Sequence, residues 1–121
     1  MMMNSKSASW LVAVAVIVAG CASSFPVPSA RVVSSNAAIR SAREVGAEHL
    51  PAAALHLRLA QEQYASAQRL IAKGENERAD WKLQRAQADA ELALALSREN
   101  VAQAEAIAML GRVTALQTSA R

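Results

Sequence analysis

Two apolar seams, separated by one short turn, constrain the fold of this chain more than any other feature of its sequence. In each seam, small or apolar residues recur at alternating spacings of four and three, the a and d pattern that places side chains on one face of a helix. The first seam is Ala53, Leu57, Ala60, Tyr64, Ala67 and Ile71, and the second is Ala79, Leu83, Ala86, Ala90, Ala93 and Ser97. Because the turn between them is short, the two helices are predicted to be antiparallel neighbours.

The residues around the turn mark where these helices end and begin. Gly74 suits the left-handed position just past a helix C-terminus, and Asn76 can cap the helix that follows. That last helix is predicted to extend beyond Val113, over about forty residues. Good helix formers dominate the whole region and aromatic residues make up only 3% of the chain, so the predicted fold class is all-α.

Alanine at most seam positions predicts that the helices pack closely. Small side chains let the helix axes approach the lower end of the usual range of about 8 to 10 Å. Each alanine buries little apolar area, so the stabilisation must be spread along the length of the helices. The pattern therefore favours a slim helical hairpin with the character of a rod.

A further helix is predicted before the hairpin. Ser34, Ser35 or Asn36 can cap it, and it runs towards Leu50. Pro51 lacks an amide donor and clashes with the preceding turn of a helix, so it either kinks one continuous helix or begins a new helix. The first arm of the hairpin is thus expected to be kinked or broken near Pro51.

Two placements of the first helix are compatible with the sequence. If it continues the second helix beyond a kink, Val45 comes near Ala104 and Ile39 near Leu110, and we favour this kinked hairpin. A second apolar set outside the seams needs a cover, which either a partner or a first helix folded back into a three-helix bundle would supply. This set is Leu55, Leu59, Leu92, Leu94 and Leu96.

Residues 1–20 have the character of a secretory signal peptide. Lys6 precedes an apolar stretch from Trp10 to Ala19, which is about half the roughly 20 residues that a transmembrane helix needs. The end of this stretch, Val18-Ala19-Gly20-Cys21, resembles the lipobox of bacterial lipoproteins. That resemblance implies cleavage between Gly20 and Cys21, a diacylglyceryl group on the Cys21 thiol and acyl chains such as palmitate.

The same resemblance suggests where the protein works. In Gram-negative lipoproteins, an aspartate after the cysteine favours retention at the inner membrane, and this chain has Ala22 there. The outer membrane, at its periplasmic face, is therefore favoured over the inner membrane. Residues 21–33, rich in serine and interrupted by Pro26 and Pro28, are expected to form a lipidated flexible linker before an alanine-rich helical domain over residues 34–121.

The sequence offers no motif for catalysis, a cofactor or a metal. It contains no nucleophile motif, glycine-rich phosphate loop or zinc-protease motif, so neither an enzyme nor a cofactor is expected. His49 and His56 would share a face of one helix, but Pro51 breaks their register and no third ligand stands at a standard spacing. Arginine is interleaved with glutamate instead of clustered, so no nucleic-acid partner is expected either.

Several features of residues 34 to about 105 form one pattern: the segment Ala37–Glu48, Gly46-Ala47 before Pro51, Gly74 at the turn, and the spaced alanines Ala60, Ala67, Ala79, Ala86, Ala90 and Ala93. In these features the region resembles the bacterial lipoproteins of domain of unknown function 4398. The family implies a periplasmic helical lipoprotein. It brings no catalytic residues and no ligand.

Two classes of function follow from these observations. The first is a structural or interaction module of the cell envelope, anchored through lipid on Cys21, that associates with itself or with an envelope protein through Leu92 and Leu96. Trp81 lies outside the seam near the turn and is either a partner contact or a cover for Leu70. The second is a helical ligand-binding or chaperone-like lipoprotein for a peptide, glycan or lipid.

Overall fold

The computed structural model describes residues 24–120, and all regular secondary structure in this range is helical. Helix α1 spans Ser29–Glu44, a short 3₁₀ turn spans Ala47–His49, α2 spans Pro51–Ala72 and α3 spans Asn76–Ser119. The predicted all-α fold is confirmed.

Helices α2 and α3 form the predicted antiparallel hairpin, and the two seams face each other. All six seam positions of α3 are buried, and Leu83 is completely inaccessible to solvent. On α2 the alanines and Leu57 of the seam are buried, whereas Tyr64 and Ile71 are half-buried at its edge. The spacing of four and three thus identified the packed face of both helices.

The turn between α2 and α3 depends on the backbone freedom of Gly74. Its φ of +76° lies in the left-handed region that residues with a Cβ rarely adopt. The Gly74 amide donates to the Ile71 carbonyl at 2.9 Å, and the Glu75 amide donates to the Leu70 carbonyl, also at 2.9 Å. These two bonds satisfy carbonyls that the end of a helix leaves without partners, as in a Schellman motif.

The predicted break near Pro51 is confirmed, and Pro51 is the first residue of α2. Its missing amide costs nothing there, because the first amides of a helix have no partner within it. The chain reverses just before it, at Gly46, whose φ is also +76°. The next residue, Ala47, has no exposed surface, so the reversal is packed against the core.

Helix α1 folds back against α2 and α3, so the molecule has the alternative arrangement, a three-helix bundle. Arg31 forms an ion pair with Asp80, and the Ser34 hydroxyl donates to the Gln87 side-chain oxygen at 2.9 Å. Residue numbers on the two helices increase together in these contacts, so α1 runs in the same direction as α3. The predicted continuation of α2 by the first helix is wrong for this reason.

The residue pairs expected from that continuation shift accordingly. Ile39 is buried in one cluster with Leu57 and Ala90, whereas its predicted neighbour Leu110 is 68% exposed. Val45 lines a surface hollow with Ser97 and Val101, about one helical turn from the predicted Ala104. The physical reason is that residue pairing about the Gly74 turn holds only as long as the first arm remains one continuous helix.

Helix α1 begins at Ser29, five residues before the predicted domain boundary and inside the predicted linker of residues 21–33. Pro28 occupies the cap position and is buried, and its fixed φ is compatible with entry into a helix. Ser35, a predicted cap, lies within the helix and is fully buried. Its hydroxyl donates to the Arg31 carbonyl at 2.6 Å, so this small polar side chain is satisfied inside the bundle.

Helix α3 is much longer than the bundle that it belongs to. Burial on α3 ends at Ser97, and every residue from 98 to 120 is exposed. With 44 residues, the helix is about 66 Å long, so roughly its last 33 Å projects beyond α1 and α2.

Candidate functional site

A second heptad seam runs along the face of α3 that points away from the bundle, and we call it the outer seam. Beside the bundle, each residue of the outer seam follows a buried α3 residue by two positions. Two residues correspond to a rotation of about 200° around the helix, so the outer seam lies on the opposite face. Its part beside the bundle consists of Trp81, Arg85, Ala88, Leu92 and Ala95. All five are exposed, Trp81 at 61% and Leu92 at 42%. The bundle therefore leaves an apolar stripe of α3 uncovered.

The outer seam continues without interruption along the projecting part of α3, which we call the tail. The alternation of four and three is maintained through Glu99, Ala102, Ala106, Met109, Val113 and Leu116. Met109 and Leu116 are 62% and 69% exposed. A continuous a and d pattern of this length is typical of a helix that packs against another helix.

Charges along one border of the outer seam alternate in sign. These charges recur every seven residues, and each directly precedes a residue of the outer seam. They are Glu91, Arg98, Glu105 and Arg112. All four side chains are exposed, and none joins an ion pair within residues 24–120. Border charges of this kind set partner choice and orientation in coiled coils.

The three contact residues predicted from the sequence do not lie on one surface. Trp81 and Leu92 both belong to the outer seam, eleven residues apart and so separated by about 16 Å along the helix. Leu96 is half-buried and packs against the core cluster. The cover that the leucine set needed comes in part from α1, while Leu55 and Leu92 stay exposed.

The part of the outer seam that lies on the tail was not predicted from the sequence. The sequence pattern that could have revealed it is the same spacing of four and three that identified the buried seams, if the count begins at Trp81 instead of Ala79. One helix carries two seams on opposite faces, and the first seam accounts for the hairpin without any need for the second.

His56 belongs to a polar cluster that joins α2 to α3. Its Nδ1 lies 2.9 Å from one carboxylate oxygen of Asp89, and the Gln63 side-chain amide donates to the other at 2.9 Å. The three side chains are half-buried. His49 does not join this cluster, and its side chain is 83% exposed on the 3₁₀ turn. No group of three or more residues of metal-ligating type comes together in the described range.

Replacing Asp89 with alanine is expected to lower the free energy of unfolding by about 1–3 kcal/mol, because two half-buried partners then lose their acceptor. The loss is measured by chemical denaturation followed by circular dichroism. Glu62→Ala is a matched control, since Glu62 is an exposed carboxylate whose ion pair with Arg58 lies at the surface. Equal losses for the two variants would show that the cluster contributes nothing specific.

The beginning of the described chain is held at the turn end of the bundle. The Asn76 side-chain amide donates to the Phe25 carbonyl at 2.8 Å, so Asn76 ties down the N-terminal segment. Asn76 is the first residue of α3 and does not cap it, which corrects the predicted role. Gly20 and Cys21, the predicted cleavage and lipidation residues, lie outside the described residues.

One family model matches the chain in comparisons with known proteins. The family is described as Domain of unknown function (DUF4398), and the match covers residues 30–109, which include α1, α2 and most of α3. Neither a curated protein nor a solved structure matches the chain. Among the helices of residues 24–120, none has the length and apolar character needed to cross a membrane.

Proposed function

This chain belongs to the DUF4398 family, and we propose that it is a lipid-anchored, non-catalytic interaction module of the bacterial envelope. The observation that carries the anchoring is Val18-Ala19-Gly20-Cys21, at the end of a short apolar stretch with one preceding positive charge. Lipid chains contribute about 0.8 kcal/mol per buried CH₂, so one chain holds a protein marginally and two or more hold it stably. A diacylated Cys21 would therefore remain at the membrane.

The position of the N-terminal segment supports this proposal geometrically. Ser24 follows Cys21 by three residues, which span at most about 10 Å. The Phe25 carbonyl accepts a hydrogen bond from the Asn76 side chain at the turn end of the bundle. An anchor on Cys21 would thus hold the turn end of the bundle close to the lipid headgroups, on a much shorter linker than residues 21–33 would form.

The exposed surface that we assign to a partner is the outer seam of α3. It is apolar at nine of its eleven positions, and its residues are exposed along the bundle and along the tail. A contiguous apolar stripe of this kind is typical of a protein-interaction surface. Because Ala22 follows the cysteine, the proposed location is the periplasmic face of the outer membrane.

The anchoring is tested with Cys21→Ser in the full-length chain, expressed in a Gram-negative host. Wild type should incorporate labelled palmitate and sediment with outer membranes on a density gradient, whereas Cys21→Ser should lose the label. Ser23→Ala, a neighbouring change that leaves the four residues Val18 to Cys21 intact, should behave as wild type. Label retained by Cys21→Ser would exclude lipidation of this thiol, and recovery of wild type with inner membranes would contradict the location.

A further inference from the structure

We infer that the partner of the outer seam is a second copy of this chain, which packs α3 against α3 in antiparallel orientation. The inference rests on the contact surface of the proposed function and names what covers it. It is carried by three observations on α3: an uncovered tail, the two charges within the seam, and the alternating charges along its border.

The tail needs a cover that its own bundle does not supply. From residue 98 to residue 120 no side chain is buried, although Met109, Val113 and Leu116 continue the seam. Helices in proteins owe most of their stability to packing of an apolar face, and Gly111 lowers the helix propensity of this segment further. Every residue of the outer seam is exposed, so a second helix can reach it.

The charges within the seam decide the orientation of that helix. A parallel, in-register pair would place Arg85 against the partner's Arg85 and Glu99 against the partner's Glu99, both within the packed layers. Like charges directly opposite each other are unfavourable, and a polar residue at such a position specifies register and oligomer state in coiled coils. In an antiparallel pair with Glu99 opposite the partner's Ala102, the two Arg85 side chains lie about 46 Å apart along the helices, and the two Glu99 side chains move from one shared layer into adjacent layers, about 4.5 Å apart along the axis.

The border charges then select one antiparallel register. In it, Glu91 faces the partner's Arg112 and Arg98 faces the partner's Glu105, and the two-fold axis repeats both, giving four pairs of opposite charge. A shift by one heptad in one direction brings Glu91 to the partner's Glu105, and a shift in the other brings Arg98 to the partner's Arg112. A shift by two heptads keeps only two opposite pairs. Electrostatic complementarity of this kind gives an interface its specificity.

The same register also covers the apolar positions on both copies. Leu92 packs against the partner's Met109, and Ala88 packs against the partner's Val113. The overlap runs from residue 85 to residue 116, about 48 Å of helix. Each tail therefore lies with its outer seam on the α3 face of the other bundle, while Val101 and Ile107, which lie outside the outer seam, stay exposed.

Crosslinking tests the register directly, because Ala95 should face the partner's Ala106. The full-length chain carrying Cys21→Ser has no other thiol, so Ala95→Cys and Ala106→Cys can be added to it and treated in mild detergent with a short thiol crosslinker. The chain with both changes should form a covalent dimer on a denaturing gel. Each single variant should not, because its two thiols would lie about 16 Å apart along the pair of helices. Failure of the double variant to exceed the single ones would overturn the register.

A charge exchange tests the pairing independently. In the same Cys21→Ser chain, Glu105→Arg should raise the dissociation constant of the dimer on the order of ten-fold in sedimentation measurements. Adding Arg98→Glu should restore it, since residues 98 and 105 face each other across the two-fold axis. A chain that is monomeric at every concentration, or no restoration by the second change, would overturn the inference. These measurements need no lipid, so a negative result for the dimer would not affect the conclusion from palmitate labelling. A negative palmitate result would likewise not affect the conclusion about the dimer.

Discussion

Truncation of Leu83 to alanine is expected to lower the free energy of unfolding by about 2–5 kcal/mol, the usual range for a buried leucine. Leu83 is completely buried and is the largest fully buried side chain in the described part of the chain. It forms a small cluster with Ala67 and Ala79, and neither alanine can reach into the space that the truncation leaves. Helices that already pack through alanine have little freedom to collapse further.

Chemical denaturation of the purified chain, followed by circular dichroism, measures this loss. Leu55→Ala provides the control, because it deletes the same atoms from an α2 position that is 45% exposed. The control should lose clearly less, about 1 kcal/mol. If the two variants unfolded at the same denaturant concentration, the assignment of Leu83 to the core would be wrong.

Enlargement of Ala86 to tryptophan should destabilise the bundle by about 1–3 kcal/mol or more, through overpacking. Ala86 has no exposed surface and lies in the middle of the α3 seam. An indole at this position forces α2 or α1 away from α3 along several turns, because the next seam position is also alanine. The close approach of the helices thus depends on the small size of this side chain.

Ala86→Ser should be much better tolerated, since the bundle already buries serine successfully. Ser97 is 4% exposed at an equivalent seam position, and its hydroxyl donates to the Ala93 carbonyl one turn earlier at 2.9 Å. Ala72→Trp, at an exposed position of α2, is the control for the indole itself. A thermal melt in which the serine variant unfolds before the Ala86→Trp variant would refute this view of the core.

The proposed antiparallel dimer determines how the two proposed anchors are arranged. Phe25 follows Cys21 by four residues and is held at the turn end of its own bundle by Asn76. In an antiparallel pair of α3 helices, the turn ends of the two copies lie at opposite ends of the dimer. With a lipid at each end, the pair of helices would lie along the membrane surface instead of projecting from it.

Much of the bundle could be predicted from the sequence, because its determinants are local. The buried faces of α2 and α3 follow from the spacing of four and three, which every helix translates into one side of its surface. Gly74 and Pro51 act through their own backbone geometry, so single positions predicted the turn and a kink or break near Pro51.

The direction of α1 could not be predicted in the same way. Whether the chain continues or reverses before Pro51 depends on Gly46 adopting a positive φ and on Ala47 being buried against the other helices. A glycine permits that reversal without requiring it. The start of α1 at Ser29 differs from the prediction for a related reason, since serine and proline are as typical of linkers as of helix beginnings.

The sequence by itself determined the all-α class, the two buried seams and the turn that joins them, because helix periodicity and glycine geometry act over a few residues. Only the tertiary structure decided that α1 covers one side of the hairpin and that coverage ends at Ser97. Which apolar face becomes buried depends on how far each helix extends beside the others. For this reason the outer seam and the tail were recognisable as an uncovered surface only once the three helices were in place.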